Sequence, residues 1–118
     1  MKFQEMTPDV TLDQQLTGVA TPVVLLNRFD VAPEDVEDFL NEFSKDAAFF
    51  KQQSGFVSAQ MLREIGGNVF MNYVVWKTVA DFGRFFANPE FKARLEAYPS
   101  NAIASPHLFE LVSIPGFH

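Results

Sequence analysis

The stretch that decides the fold is residues 72–89, NYVVWKTVADFGRFFANP. Its first half alternates as a strand does, so that Asn72 and Trp76 share one face. Thr78, followed three residues later by Asp81, is close to a capping box and predicts that a helix begins directly after the strand. Trp76 is the only tryptophan of the chain. At this strand–helix junction, it either plugs the end of a core or lines a cavity.

The segments that precede this stretch are a strand and a long helix. Residues 22–31, PVVLLNRFDV, alternate as a strand and set Asn27 on a face that is otherwise apolar. Residues 32–51 form the clearest helix, with Pro33 in its first turn, several carboxylates at its start and an apolar stripe at helical spacing. Gly55 supplies the stop signal.

Two more strands and a short helix complete the prediction. Residues 55–65 and 68–76 are predicted strands that meet at a tight, glycine-rich turn. Pro89 ends the helix that follows Trp76 and begins a short helix of its own. Residues 98–106 are predicted to be a loop that leads to a last strand at residues 107–114.

The element order predicts an α+β fold with a ferredoxin-like β-α-β-β-α-β arrangement, in which helices cover one face of a four-stranded antiparallel sheet. The strands are apolar on both faces, so the second face needs a cover, and a homodimer with two sheets packed face to face supplies one. Residues 1–20 are an apolar N-terminal arm that docks on its own domain or on a partner subunit, or stays disordered. Residues 21–118 are the predicted domain.

Composition excludes several classes of function. The net charge is −6, which argues against a nucleic-acid partner. The chain has no cysteine and two histidines, which argues against a metal site. It has neither a secretory leader nor a run long enough to span a membrane, so we expect a cytoplasmic protein with no membrane partner. Its 14 phenylalanines predict an aromatic-lined pocket or a buried subunit interface.

Several segments together carry a resemblance to a known family. They are LNRF (26–29), GFV (55–57), NYVVWKTVADFGRFFANPEF (72–91) and SPHLFELV (105–112). In this order they resemble the antibiotic biosynthesis monooxygenase family, whose members are small dimeric α+β barrel proteins. The resemblance implies a cofactor-independent monooxygenase that oxidises a small phenolic, anthrone or quinol-type aromatic metabolite with O₂.

The resemblance also implies a pocket between the helices and the sheet, which Asn27 and Trp76 face. We expect Asn27 and Trp76 to supply hydrogen bonds that stabilise a substrate anion, and His107 to act as the base if it reaches the pocket. The residues expected to contact the substrate are Phe43, Phe50, Asn72, Phe82, Phe86 and Tyr98. Leu95 stands where the haem-degrading branch of the family has a histidine, which argues against haem degradation.

Plainer interpretations of the same residues stay open. Trp76 is also explained as a core plug, Asn27 as a residue bonded to backbone, and His107 as an exposed or structurally bonded residue at a strand start. The phenylalanines pack mainly in the core. The alternative function is accordingly a non-catalytic or isomerase-like small-molecule binding protein on the same fold.

Overall fold

The computed structural model describes residues 1–118 as one five-stranded sheet with four α-helices. The strands are β1 (Lys2–Phe3), β2 (Val23–Asp30), β3 (Phe56–Arg63), β4 (Val69–Trp76) and β5 (Ile103–Phe109). The helices are α1 (Leu12–Gln15), α2 (Val36–Lys51, after a 3₁₀ turn at Pro33–Asp35), α3 (Val79–Phe86) and α4 (Pro89–Leu95). The strand order in space is β1-β5-β2-β4-β3. No helix has the length and apolar character needed to cross a membrane.

The ferredoxin-like arrangement is confirmed by strands β2 to β5 and the helices between them. These four strands pair antiparallel, and the helices cover the face that carries Trp76. The predicted start of α3 is also correct, because the Thr78 hydroxyl accepts a hydrogen bond from the Asp81 backbone N–H at 3.0 Å. Pro89 occupies the first turn of α4, as its fixed φ favours.

The last strand differs from its prediction. It begins at Ile103 instead of His107 and ends at Phe109, where its pairing with β2 ends. The end of the predicted loop is therefore part of the strand, and it includes Pro106, which cannot donate a backbone hydrogen bond. The last pair between β1 and β5 is Phe3 with Ala104, and Pro106 lies two residues beyond it. A strand tolerates proline where the missing N–H would face a side that has no partner strand.

The N-terminal arm docks on its own domain and adds a fifth strand to the sheet. Strand β1 pairs parallel to β5, with backbone bonds of 2.8 Å from Lys2 to Ala102 and from Gln4 to Ala104. After it, Leu12 of α1 is 7% exposed and belongs to the core. Strand β1 has only two residues, which is too short to show the alternation of apolar and polar side chains that marks a strand. The sequence pattern therefore could not indicate that the arm pairs with β5.

The core consists of two separate clusters on the helix-covered face. The first lies under α1, α3 and α4 and contains Leu25, Val74, Trp76 and Phe82 among its members. The second lies under α2 and the loop before β5. Its members are Phe29, Val31, Phe39, Phe70, Tyr98, Ala102 and Ala104.

Candidate functional site

A cavity of about 240 Å³ lies between the sheet and helices α2, α3 and α4. Nineteen of its 24 lining residues are hydrophobic, which suits an apolar ligand. Eight of the nine side chains that the sequence pointed to are in the lining: Asn27, Phe43, Phe50, Asn72, Trp76, Phe82, Phe86 and Tyr98. The structure thus brings these side chains together around one space, and their roles toward a substrate stay predictions.

The floor of the cavity is the boundary between the two core clusters. On β2, Asn27 lies between Leu25, which belongs to the first cluster, and Phe29, which belongs to the second. Asn72 is directly opposite Asn27 in the pairing of β2 with β4. Two side-chain amides therefore lie side by side where the apolar packing is interrupted.

Two buried polar atoms of the lining have no hydrogen-bond partner in the protein. They are the amide oxygen Oδ1 of Asn27 and the indole nitrogen Nε1 of Trp76. Leaving a buried polar atom unpaired costs about 1–3 kcal/mol, so a folded protein rarely keeps two of them without a reason. One atom accepts and the other donates, a combination that can bind the oxygen-bearing part of a flat apolar ligand.

Aromatic packing fixes the indole of Trp76. Its ring centroid is 5.3 Å from that of Phe85 and 5.7 Å from that of Phe56, which meets it edge-on. Gly55, just before β3, has a φ of +85°, and a Cβ there would lie 2.2 Å from Cγ of Asp81. A glycine is needed because β3 begins in direct contact with the cap of α3, and this contact holds the strand–helix junction at Trp76 in place.

A buried polar network borders the other end of the cavity. The Tyr98 hydroxyl donates to Oδ2 of Asp46 at 2.9 Å, and Nη1 of Arg94 donates to Oδ1 of the same carboxylate at 2.7 Å. Asp46 is 3% exposed. Burial, followed by the hydrogen bond to Asp46, raises the pKa of Tyr98, so its phenol stays protonated.

His107 lies outside the cavity lining, in contrast to its predicted role as a base. Strand β5 pairs with β2 so that Pro106 opposes Asn27 and His107 opposes Leu26. Because faces alternate along a strand, His107 points to the opposite face of the sheet from Asn27. The role as a base was conditional on reaching the pocket, and that depended on the register of β5, which the sequence pattern does not determine.

On that opposite face, His107 is an anchor for the N-terminal arm. It is 2% exposed, its Nε2 contacts the carboxylate of Glu5, and the backbone nitrogen of Met6 is 3.3 Å from the same ring atom. The hydrogen bond with His107 is the main reason that the pKa of Glu5 lies below its usual value.

Sixteen of the 24 lining residues were not among the predicted contacts, and three of them show what the sequence could and could not indicate. Met61 lies opposite Asn72 in the pairing of β3 with β4, so its face could have been deduced from the strand alternation. Gln60 adds a third amide to the lining. Phe3 of the arm has no signal of this kind, because only the docked position of β1 brings it to the cavity.

Comparison with known proteins relates the chain to a family of oxygenases. The family model for antibiotic biosynthesis monooxygenases matches residues 22–97. The chain is 35% identical over 91 residues to deoxynogalonate monooxygenase from Streptomyces nogalater, and the aligned residues cover 76% of each chain. It is 32% identical over 75 residues to tetracenomycin-F1 monooxygenase from Streptomyces glaucescens, and the aligned residues cover 61% of this chain and 65% of that enzyme.

A solved structure agrees with these matches. The crystal structure of SnoaB, a cofactor-independent oxygenase from Streptomyces nogalater, superposes with a TM-score of 0.73 at 32% identity and covers 82% of this chain and 99% of that chain. The fold, the family model and the sequence identity all lead to the same assignment. The chain belongs to the antibiotic biosynthesis monooxygenase family.

Proposed function

We propose that the protein is a cofactor-independent monooxygenase that oxidises a small phenolic, anthrone or quinol-type metabolite with O₂ in this cavity. The observation that carries the proposal is the pair of buried, unpaired polar atoms, Asn27 Oδ1 and Trp76 Nε1, in an apolar wall. The reaction class is supported by the relatives, which are deoxynogalonate monooxygenase, tetracenomycin-F1 monooxygenase and a cofactor-independent oxygenase.

The chemistry requires little from the protein beyond binding and charge stabilisation. A deprotonated phenol or anthrone is electron-rich enough to pass an electron to O₂, after which the two radicals combine at a ring carbon. For an anthrone, one oxygen atom becomes the new carbonyl, and the other leaves as water with the two hydrogens of that carbon. The indole N–H of Trp76 would donate to the developing oxyanion, and Asn27 would hold a neighbouring hydroxyl of the substrate. The apolar lining would keep water from the radical pair.

A specific observation favours the alternative, a binding protein without catalysis. With His107 on the opposite face, no histidine and no carboxylate lines the cavity, and the hydroxyl of Tyr98 is bonded to Asp46. A lining without either of these common bases suits a ligand that needs only to be held, or a substrate acidic enough to ionise by itself. Haem degradation is disfavoured, because Leu95 lines the cavity and no histidine does.

Oxygen uptake distinguishes these functions. We expect the chelator-treated protein to consume O₂ in a one-to-one ratio with an anthrone or naphthoquinol, well above the rate of autoxidation. The measurement is made with an oxygen electrode, and ligand binding is followed in parallel by quenching of Trp76 fluorescence. Quenching without uptake across anthrones, naphthoquinols and catechols would support the binding protein and contradict the oxygenase.

We also propose that the chain forms a homodimer through the outer face of its sheet. Leu62 and Tyr73 on that face are 51% and 39% exposed, and Leu111 in the tail after β5 is 67% exposed. Apolar side chains in this number favour a covered face. We expect sedimentation velocity at micromolar concentration to give twice the chain mass of 13.3 kDa. A single species at the chain mass would contradict the dimer.

A further inference from the structure

The arm adds a part to the cavity that lies outside the segment shared with the family. The family model begins at residue 22, and the SnoaB structure is covered over 99% of its length by 82% of this chain. Met1 and Phe3 nevertheless line the cavity together with helices α2 to α4. A wall contributed by residues outside the matched segment is a candidate source of a different substrate preference.

The pairing of β1 with β5 brings Phe3 to the cavity. Phe3 pairs with Ala104, a core residue on the helix-covered face of the sheet. Its ring meets that of Phe86 edge-on, with centroids 5.8 Å apart. Phe3 is still 44% exposed, so it stands at the boundary between the cavity and solvent.

Two side chains beyond β1 hold the arm against the sheet. The Gln15 side chain makes two hydrogen bonds with the backbone of Leu108, donating to its carbonyl at 2.9 Å and accepting from its N–H at 2.8 Å. The Glu5 carboxylate accepts from the Leu12 backbone N–H at 2.9 Å and contacts the buried ring of His107. Phe3 is therefore held in place as a wall of the cavity. Its neighbours Lys2 and Gln4 are bonded to the chain at the start of β5, and the arm is bonded to the sheet again after β1.

We propose that Phe3 is a specificity-determining residue that shortens the cavity and selects compact aromatic ligands over longer fused-ring ones. The class of ligand, a flat aromatic compound, is taken from the proposed function. The position of Phe3 in the cavity wall depends only on how the arm docks. Removing the phenyl ring opens the β1 end of the cavity toward solvent. A longer ring system can then extend past the position of Phe3, whereas a short one loses a contact and gains nothing.

The fluorescence of Trp76 allows the proposed role of Phe3 to be tested by ligand binding alone, without conversion of a substrate. Trp76 is the only tryptophan and it lines the cavity, so its fluorescence reports binding directly. The probes are 1-naphthol with two rings and a hydroxylated tetracenequinone with four. If the oxygenase function fails, no O₂ is consumed, yet the two dissociation constants can still be measured.

The variant is Phe3→Ala, and Val19→Ala is the matched control because Val19 belongs to the same arm and is 95% exposed. We expect wild-type protein and the control to bind the two-ring probe more tightly than the four-ring probe. In Phe3→Ala, we expect the ratio of the two dissociation constants to shift by about tenfold or more toward the four-ring probe, since a single methylene in an apolar pocket already changes discrimination by about that much. A shift below about twofold, or an equal shift in Val19→Ala, would overturn the proposal.

A second variant tests whether the docked arm, and not Phe3 alone, forms the wall. Gln15→Ala removes both bonds to Leu108 and leaves every lining residue intact. We expect faster amide hydrogen exchange in residues 2–6 and a shift of the ratio in the same direction as in Phe3→Ala. Faster exchange with an unchanged ratio would overturn the wall, because the cavity would then keep its preference without a fixed arm.

Discussion

Replacing Asn27 with leucine is expected to lower kcat for O₂ consumption by about 10²–10³-fold while the melting temperature stays the same or rises. The loss of activity follows from removing a polar group that is held ready for the oxygen atoms of the substrate, for which this magnitude is typical. Stability does not suffer, because Oδ1 of Asn27 is buried without a partner, and a leucine of similar size removes that cost of about 1–3 kcal/mol.

The measurement combines steady-state oxygen uptake with thermal unfolding of the same preparations. Trp76→Phe is the companion variant, because it removes the unpaired Nε1 and keeps an aromatic ring among Phe56, Phe82 and Phe85. Ile65→Ala is the control, since Ile65 is fully exposed in the turn between β3 and β4 and does not line the cavity. If activity and melting temperature fall together in both site variants, the polar atoms support the fold and not the reaction.

Replacing Asp46 with alanine is expected to destabilise the protein by about 2 kcal/mol, because the buried hydroxyl of Tyr98 loses its acceptor and Arg94, which stays paired with Glu90, loses one of its two carboxylate partners. Asp46 accepts from Arg94 at 2.7 Å and from Tyr98 at 2.9 Å, and its side chain is 5% exposed. Tyr98→Phe removes one hydrogen bond and leaves the ion pair in place, so its expected cost is about 1 kcal/mol.

Urea unfolding of both variants and of the double variant measures these costs. We expect the double variant to be less destabilised than the sum of the two single variants, because Tyr98 has no bond left to lose once Asp46 is gone. Lys45→Ala is a suitable control, since its ion pair with Glu42 is exposed and contributes little. An Asp46→Ala variant no less stable than Tyr98→Phe would contradict the assignment of Asp46 as the centre of the network.

Much of the fold could be predicted because local signals agreed with the final packing. Alternation along β4 placed Asn72 and Trp76 on one face, and Thr78 marked the start of α3. The family resemblance rested on the same segments and was confirmed by the match to residues 22–97. The parts that could not be predicted depend on contacts distant in sequence. The arm meets β5 about a hundred residues later, and Pro106 obscured the start of that strand.

The candidate site divides in the same way. Side chains whose direction follows from strand or helix periodicity, such as Asn27 and Phe82, are in the cavity lining as expected. The condition set for His107, that it reach the pocket, is not met, and the sequence could not decide this because a register shift of one residue reverses a face. The burial of Asp46 had a signal, since it lies three residues after Phe43 and four before Phe50 on the apolar stripe of α2, but its partners Arg94 and Tyr98 are distant in sequence and had none.

The division of the core into two clusters has a consequence for how such a protein can change over generations. The atoms that keep the sheet and helices together lie mainly on either side of Asn27 and Asn72, so substitutions at the boundary alter ligand fit without dismantling either cluster. Lining residues that belong to neither cluster, such as Asn27 and Asn72, can therefore drift under selection for new substrates, while each half of the core continues to hold the chain folded. A scaffold built in this way is evolvable: it can acquire a new preference through a few changes in the space between two stable blocks.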